Sequence, residues 1–371
     1  MSSGPESPPR SMFAVVLKGH GGYQQLELRT DLPVPTPGHG EVLVRIAAAA
    51  LNNTDINTRI GWYSRSPAAS APASPAAPAS PAASAALAAP QDSAWGGGAF
   101  QFPRIQGADA CGTIVAVGAG VDTVRIGERV LIDPILRGAG ADGTGVEYFG
   151  ADRDGAFAQF ATVPSVNALA VVSELGDIEL ASFPCSYLAA ENMLSRVALA
   201  PNQTVLVTGA SGGVGSAAVQ LARRRGARVI AVAGAGKAAG LRALGAERVL
   251  AREADLVSEL GAGSVDAIID SVGGAHFPQH LQILRRGGRY AVAGALAGAS
   301  VALDLRTLYL KDLTLFGCTI PEPGLLATLL GYIEAKEIRP LISATYPLRE
   351  IVAAQQAFLE KKHLGKIVLV P

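Results

Sequence analysis

The residues with the most chemical potential lie at 204–215, which read TVLVTGASGGVG. Residues 205–208 are a β-branched and apolar run of the kind that makes a buried parallel strand, and they pass straight into small residues. The chain must then bend sharply into a helix. Gly212 and Gly213 can take backbone angles closed to other residues and, lacking side chains, let a diphosphate approach the main chain. Behind them Val214, Ala218, Leu221 and Ala222 share one helical face, and Arg223, Arg224 and Arg225 crowd the last turn before Gly226. Ser211, Gly212, Gly213, Val214 and Gly215 thus offer free helix-start amides to an anion, and a dinucleotide diphosphate is the usual one. A ligand-free turn also uses glycine; the strand before and the amphipathic helix behind favour the cofactor.

At the end of the next apolar run, 229–233, an NADH site needs an acid to accept from the adenosine ribose. The chain has Ala233, Gly234, Ala235 and Gly236, followed by Lys237. The acid is missing and a cation is near, so NADPH is the expected cofactor, with Arg252 a second candidate for its phosphate or the adenine face. The alternative is that both are solvated surface cations. His276 and His280 stand one helical turn apart with Pro278 between them and no third ligand, and are read as surface histidines. Cys111, Cys185 and Cys318 are too scattered for a disulfide framework or a zinc ribbon.

These residues need a scaffold, and 371 residues suggest two domains. Thirty-one basic residues balance thirty-one acidic ones, which points away from nucleic acid and from acidic membrane surfaces. The first twelve residues lack the apolar core of a signal peptide and no apolar run is long enough to span a bilayer, so a cytoplasmic protein is the simplest reading. Short apolar runs at 13–17, 26–28, 42–50, 112–117, 130–132 and 157–163, punctuated by Gly and Pro, have the rhythm of a small all-β barrel. Within it, residues 66–89 are almost wholly Ala, Pro and Ser, and are read as a mobile insertion, with a lid over the site as the functional alternative. Residues 180–197 look helical. Apolar runs at 205–208, 229–233, 248–250, 267–270, 289–293 and 313–316, with helical stretches between, predict a doubly wound parallel α/β sheet. Helices around 325–333 and 351–359 and a strand at 366–370 are expected to return to the β-rich domain.

The chain resembles the medium-chain dehydrogenase/reductases, and among them the zinc-independent quinone oxidoreductase and enoyl reductase branch. The resemblance rests on Asn52-Asn53-Thr54-Asp55 with Arg59, Gly61 and Tyr63, on residues 103–109 (PRIQGAD) with Gly112, on residues 210–215, and on Asp270-Ser271-Val272-Gly273-Gly274. It implies a GroES-like β-barrel catalytic domain at 1–172, a Rossmann domain at 173–320 and a return segment at 321–371. The family's alcohol dehydrogenases hold a catalytic zinc with cysteine, histidine and cysteine, whereas the matching positions here are Asn52, Ala108 and Cys185. One thiolate cannot make a three-ligand site, and residues 138–155 contain no cysteine for a structural zinc, so no metal is expected.

Without a metal to polarise a carbonyl, the expected reaction is hydride addition to the β-carbon of an enone, quinone or enoyl thioester, which needs a donor for the enolate oxygen and a proton for the α-carbon. By resemblance Asn52 orients the nicotinamide ribose or substrate carbonyl and Tyr63 is the proton donor, the alternative for Tyr63 being a packed ring beside Trp62. Ser271, Gly273 and Gly274 would border the diphosphate and nicotinamide ribose; Gly294, Phe316 and Gly317 would line or flank the nicotinamide, and Lys366 would approach the cofactor. Asp55 and Arg59 are read as a salt bridge or cap, and Cys185 as a small buried residue. The apolar strand at 313–316 would be a sheet edge, which suggests a homodimer. Two other readings stay open: a nucleotide-binding protein with vestigial redox activity, and a biosynthetic tailoring enzyme.

Overall fold

The structure is a computed structural model that describes residues 8–63, 100–139, 143 and 145–371. The block at 66–89, expected as a flap or lid, lies outside the described residues. Two compact units are present: Met1–Cys185 with Ile342–Lys362 and Lys366–Pro371, and Ser186–Leu341 with His363–Gly365.

The first unit is a β-rich barrel module. Its main sheet is organised on the strand Glu41–Ala50, which pairs antiparallel with Asp109–Val117, with Phe160–Pro164 and with the C-terminal strand Lys366–Val370. Val42, Val44, Ile46 and Leu51 from that strand region pack with Ile114, Ile132, Phe157, Ile367 and Leu369 in one core, almost without exposure. Burying each such aliphatic side chain contributes on the order of 1.5–3 kcal/mol. The chain's last strand is thus part of this module because its apolar face completes the core, and a parallel partner, Ile342–Pro347, extends the sheet beyond it. The helix Ile351–Leu359 covers it with Ile351, Ala354 and Phe358.

The second unit is a six-stranded, all-parallel sheet. In space the strands run Arg248–Ala251, Arg228–Ala233, Thr204–Val207, Val265–Asp270, Leu284–Val292 and Thr314–Gly317. In chain order this is 3-2-1-4-5-6, so the sheet grows first one way and then the other from Thr204–Val207, which places a crevice between the carboxyl ends of that strand and Val265–Asp270. The helix Gly213–Arg224 lays Ala217, Ala218, Leu221 and Ala222 on the sheet. The helix Ala238–Leu244 stops at Gly245, whose φ of 114° is open to glycine and disfavoured for other residues. The helix Leu325–Glu334, expected to belong with the barrel, groups with this unit, and the return to the barrel begins at Ile342.

Candidate functional site

In the barrel unit three strand ends converge on a buried polar cluster. Ala50, at the end of Glu41–Ala50, is in register with Asp109 on one side and Val368 on the other. Asn52 follows as the residue capping the helix Asn53–Arg59, and Lys366 opens the last strand. The Lys366 ammonium donates to Asn52 Oδ1 at 2.6 Å and to Asp109 Oδ2 at 2.9 Å, and the Asn52 amide donates to the same carboxylate oxygen at 2.9 Å. Asp109 Oδ1 accepts from the Cys185 backbone N–H at 2.6 Å. The side chains of Lys366 and Asp109 are 5% and 0% exposed, so the two charges neutralise each other out of water.

Asp55 fulfils the capping role foreseen for it, accepting from the Asn52 N–H at 2.8 Å. Burial, reinforced by the Asp109 anion against the pull of Lys366 and of the Asn52 N–H, raises its pKa to about 7. The salt bridge to Arg59 does not form: Arg59 turns away to Gln355 at 2.9 Å and to the Gly21 carbonyl at 2.8 Å, with its guanidinium over the Tyr23 ring. Tyr63 is half-buried; its hydroxyl accepts from Asn57 at 3.3 Å, and burial pushes its pKa up. A second phenol, Tyr148 on the strand Gly145–Tyr148, lies 3.2 Å from Cys185 Sγ. Burial first, then the Asp109 anion, holds the Cys185 thiol well above its ordinary pKa, so it is neutral and a poor nucleophile.

In the second unit the glycine-rich turn has the geometry of an anion site. The helix Gly213–Arg224 begins with no capping side chain at Gly212, and its first intrahelical bond is Ser216 N–H to the Gly212 carbonyl. The amides of Gly213, Val214 and Gly215 therefore have no acceptor within the helix. A Cβ on Gly212 would meet nothing nearer than the Gly209 oxygen at 3.6 Å, which leaves the approach to these amides open, whereas one on Gly215 would strike that oxygen at 2.3 Å. Donors, dipole and open approach fit a dinucleotide diphosphate. Lys237, after the second strand, places Nζ 3.2 Å from Ser211 Oγ, and its pKa is lowered by burial and by the neighbouring Arg252 cation. The Arg252 guanidinium is therefore near Lys237, and a Cβ on Gly234 would lie 3.2 Å from its Nη2.

The other foreseen residues of this unit occupy the loops at the strands' carboxyl ends. Ser271 and Gly273 follow Val265–Asp270, and a Cβ on Gly294 would lie 2.7 Å from the Ser271 carbonyl oxygen, so those two loops touch. Phe316 and Gly317 end the outermost strand, in register with Ala291 and Val292. His280 corrects the sequence reading. It is 2% exposed rather than superficial, because the helix Phe277–Ile283 turns it inward toward Asp270. Among the described residues no group of three or more His, Cys, Asp or Glu could hold a metal.

Sequence reasoning gave no role to Asp109, Tyr148, Thr208 or Asp270. An acid at a strand terminus, first in Asp109–Val117 and last in Val265–Asp270, is the one signal that could have found two of them; Tyr148 and Thr208 carry no such signal.

Comparison with known proteins agrees with this architecture. Residues 213–334 match the family described as zinc-binding dehydrogenase, and residues 82–173 the alcohol dehydrogenase GroES-like domain. A crystal structure of a putative alcohol dehydrogenase from Sinorhizobium meliloti 1021 is 45% identical, covers 98% of each chain and superposes with a TM-score of 0.85. Acryloyl-coenzyme A reductase of Metallosphaera sedula is 29% identical over 96% of this chain and 99% of its own. Quinone oxidoreductase of Lama guanicoe is 27% identical over 97% and 98%. The chain is a member of the medium-chain dehydrogenase/reductase superfamily, in its quinone oxidoreductase and enoyl reductase-like branch, and an oxidoreductase.

Proposed function

We propose that this protein is a zinc-independent, NADPH-dependent reductase of activated carbon-carbon double bonds, as in enones or enoyl thioesters, or of quinones. The observation that carries the reading is the Lys366–Asp109–Asn52 cluster. The family's metal-binding positions hold Asn52, Ala108 and Cys185, and here Asn52 and the backbone of Cys185 are both committed to the Asp109 carboxylate. Asparagine and alanine do not make a catalytic zinc site. With no Lewis acid, hydride addition is easiest where the substrate delocalises the charge itself, onto an enolate or quinol oxygen. The relatives named for acryloyl-coenzyme A and quinone reduction support that class.

Bound NADPH supplies the hydride. The chain's own residues have separate tasks: the amides of residues 213–215 hold the diphosphate, Lys237 and Arg252 the 2′-phosphate, Ser271, Gly273, Gly294, Phe316 and Gly317 border the nicotinamide end, Asn52 orients the ribose or carbonyl and Tyr63 donates the proton. Lys366 acts through the orientation it gives Asn52. We also infer a homodimer formed on the edge strand Thr314–Gly317, beside which the helix Leu305–Leu310 exposes Leu305, Tyr309 and Leu310 at 61–62%. The deciding experiment follows loss of NADPH with a panel of quinones, enones and acryloyl-coenzyme A, alongside elemental analysis of the purified protein. Turnover with less than stoichiometric zinc is expected; no NADPH uptake, or zinc at one per chain, refutes the reading.

A further inference from the structure

The carboxyl ends of Thr204–Val207 and Val265–Asp270 flank the switch point of the parallel sheet, where ligands of such sheets bind. A buried carboxylate bridges them. Asp270, with no exposed surface, accepts at Oδ1 from the Thr208 hydroxyl at 2.5 Å, from the Val272 N–H at 2.7 Å and from the Gly273 N–H at 3.1 Å. Its Oδ2 accepts from the Tyr290 hydroxyl, and His280 Nδ1 lies 3.5 Å from the same oxygen. While its hydroxyl donates a hydrogen bond to Asp270, the Thr208 oxygen accepts one from the Ser271 N–H at 3.2 Å. Three successive amides of one loop, residues 271–273, are therefore held by two side chains at the sheet's fork.

The loop needs such a clamp. Gly273 and Gly274 have φ of 64° and 77°, and glycine loses more conformational freedom on ordering than any other residue. The glycine-rich turn and this loop are also in contact: a Cβ on Gly209, itself at φ 54°, would come within 2.9 Å of Val272 and 3.0 Å of Ser271 Oγ. Burial alone would raise the Asp270 pKa, but His280, Thr208 and Tyr290 together outweigh it and hold the group below the usual carboxylate range. It is an anion, and its bonds to the loop amides are of the stronger, charge-assisted kind.

We infer that Asp270 and Thr208 are positioning residues for the cofactor: they fix the 271–274 loop against the glycine-rich turn before NADPH arrives, so that binding does not have to order it. This rests on the reading of the second unit as an NADPH site. Neither residue touches the cofactor in this scheme; each acts through the loop backbone.

The test uses the full chain with Thr208→Val, which keeps the shape and loses the hydroxyl, Thr208→Ser, which keeps the hydroxyl, and Asp270→Asn. NADPH affinity is read by fluorescence titration, and hydrogen exchange of residues 271–274 is followed in the cofactor-free protein. Thr208→Val and Asp270→Asn are expected to weaken NADPH binding roughly tenfold or more, the effect of losing a hydrogen bond to a charged group. Asp270→Asn should also accelerate exchange at Val272 and Gly273, and Thr208→Val exchange at Ser271, whereas Thr208→Ser should keep both affinity and exchange close to those of the wild type. Should Asp270→Asn fail to fold, the threonine pair decides. Exchange unaltered by Thr208→Val, or exchange accelerated with NADPH affinity unaltered, overturns the inference alone. A wild-type chain that takes up no NADPH overturns it together with the cofactor reading.

Discussion

At the scale of single residues, cofactor choice and proton donation are separable. Lys237 stands beside Ser211 with the Arg252 cation near it, and a 2′-phosphate held by both would gain charge-assisted bonds that the plain ribose of NADH cannot make. Replacing both with Ala is expected to raise the Kd for NADPH by about one to two orders of magnitude while leaving that for NADH nearly constant. Equal losses for the two cofactors would instead make them solvated surface cations. Tyr63→Phe is expected to lower turnover of an enone on the order of a hundredfold, with little effect on NADPH binding, if the phenol is the general acid. Its hydroxyl is tied to Asn57 in the helix it follows, so unchanged turnover would assign Tyr63 to packing and remove it from the mechanism.

At the scale of elements, the polar cluster of the barrel unit is a fastening between strand ends as well as a candidate site. Lys366 heads the last strand and Asp109 heads the strand paired with Glu41–Ala50, so their ion pair joins two elements whose sequence separation is 257 residues. Lys366→Met leaves a buried carboxylate without its counter-charge and should cost about 3–5 kcal/mol in chemical denaturation, with Lys366→Met plus Asp109→Asn recovering part of it. Asp55 adds a pH dependence of known sign. Its folded pKa of about 7 lies above its unfolded value, so the folded state holds the extra proton and loses stability as pH rises from the unfolded pKa through 7. Asp55→Asn keeps an acceptor for the Asn52 N–H but cannot titrate, and should flatten that decline by up to a few kcal/mol. A decline of equal slope in the variant would mean that another group is responsible.

At the scale of the whole molecule, the exposed leucines and tyrosine of Leu305–Leu310 lie next to an edge strand with one side unpaired among the described residues. Such an edge is protected when a second copy pairs with it. Sedimentation of the full chain is expected to give a dimer, and Leu310→Glu with Tyr309→Glu should shift it to monomer; a wild-type monomer at micromolar concentration would end the proposal.

The sequence by itself determined the parallel sheet and the glycine-rich turn, because period, turn chemistry and helix stop are local signals: residues 204–226 carry strand, bend, amphipathic face and terminating glycine in one unbroken run. It left open which distant groups meet. His280 read as a surface residue because no third ligand accompanies it and His276 and because Pro278 lies between the two, yet the packing of its helix points it at Asp270. Asp109 meets Lys366, and Asp270 meets Thr208 and Tyr290, only because strands remote in sequence end side by side. A buried charge is stable only with a partner, and which partner it has is fixed by sheet order, which no local pattern encodes.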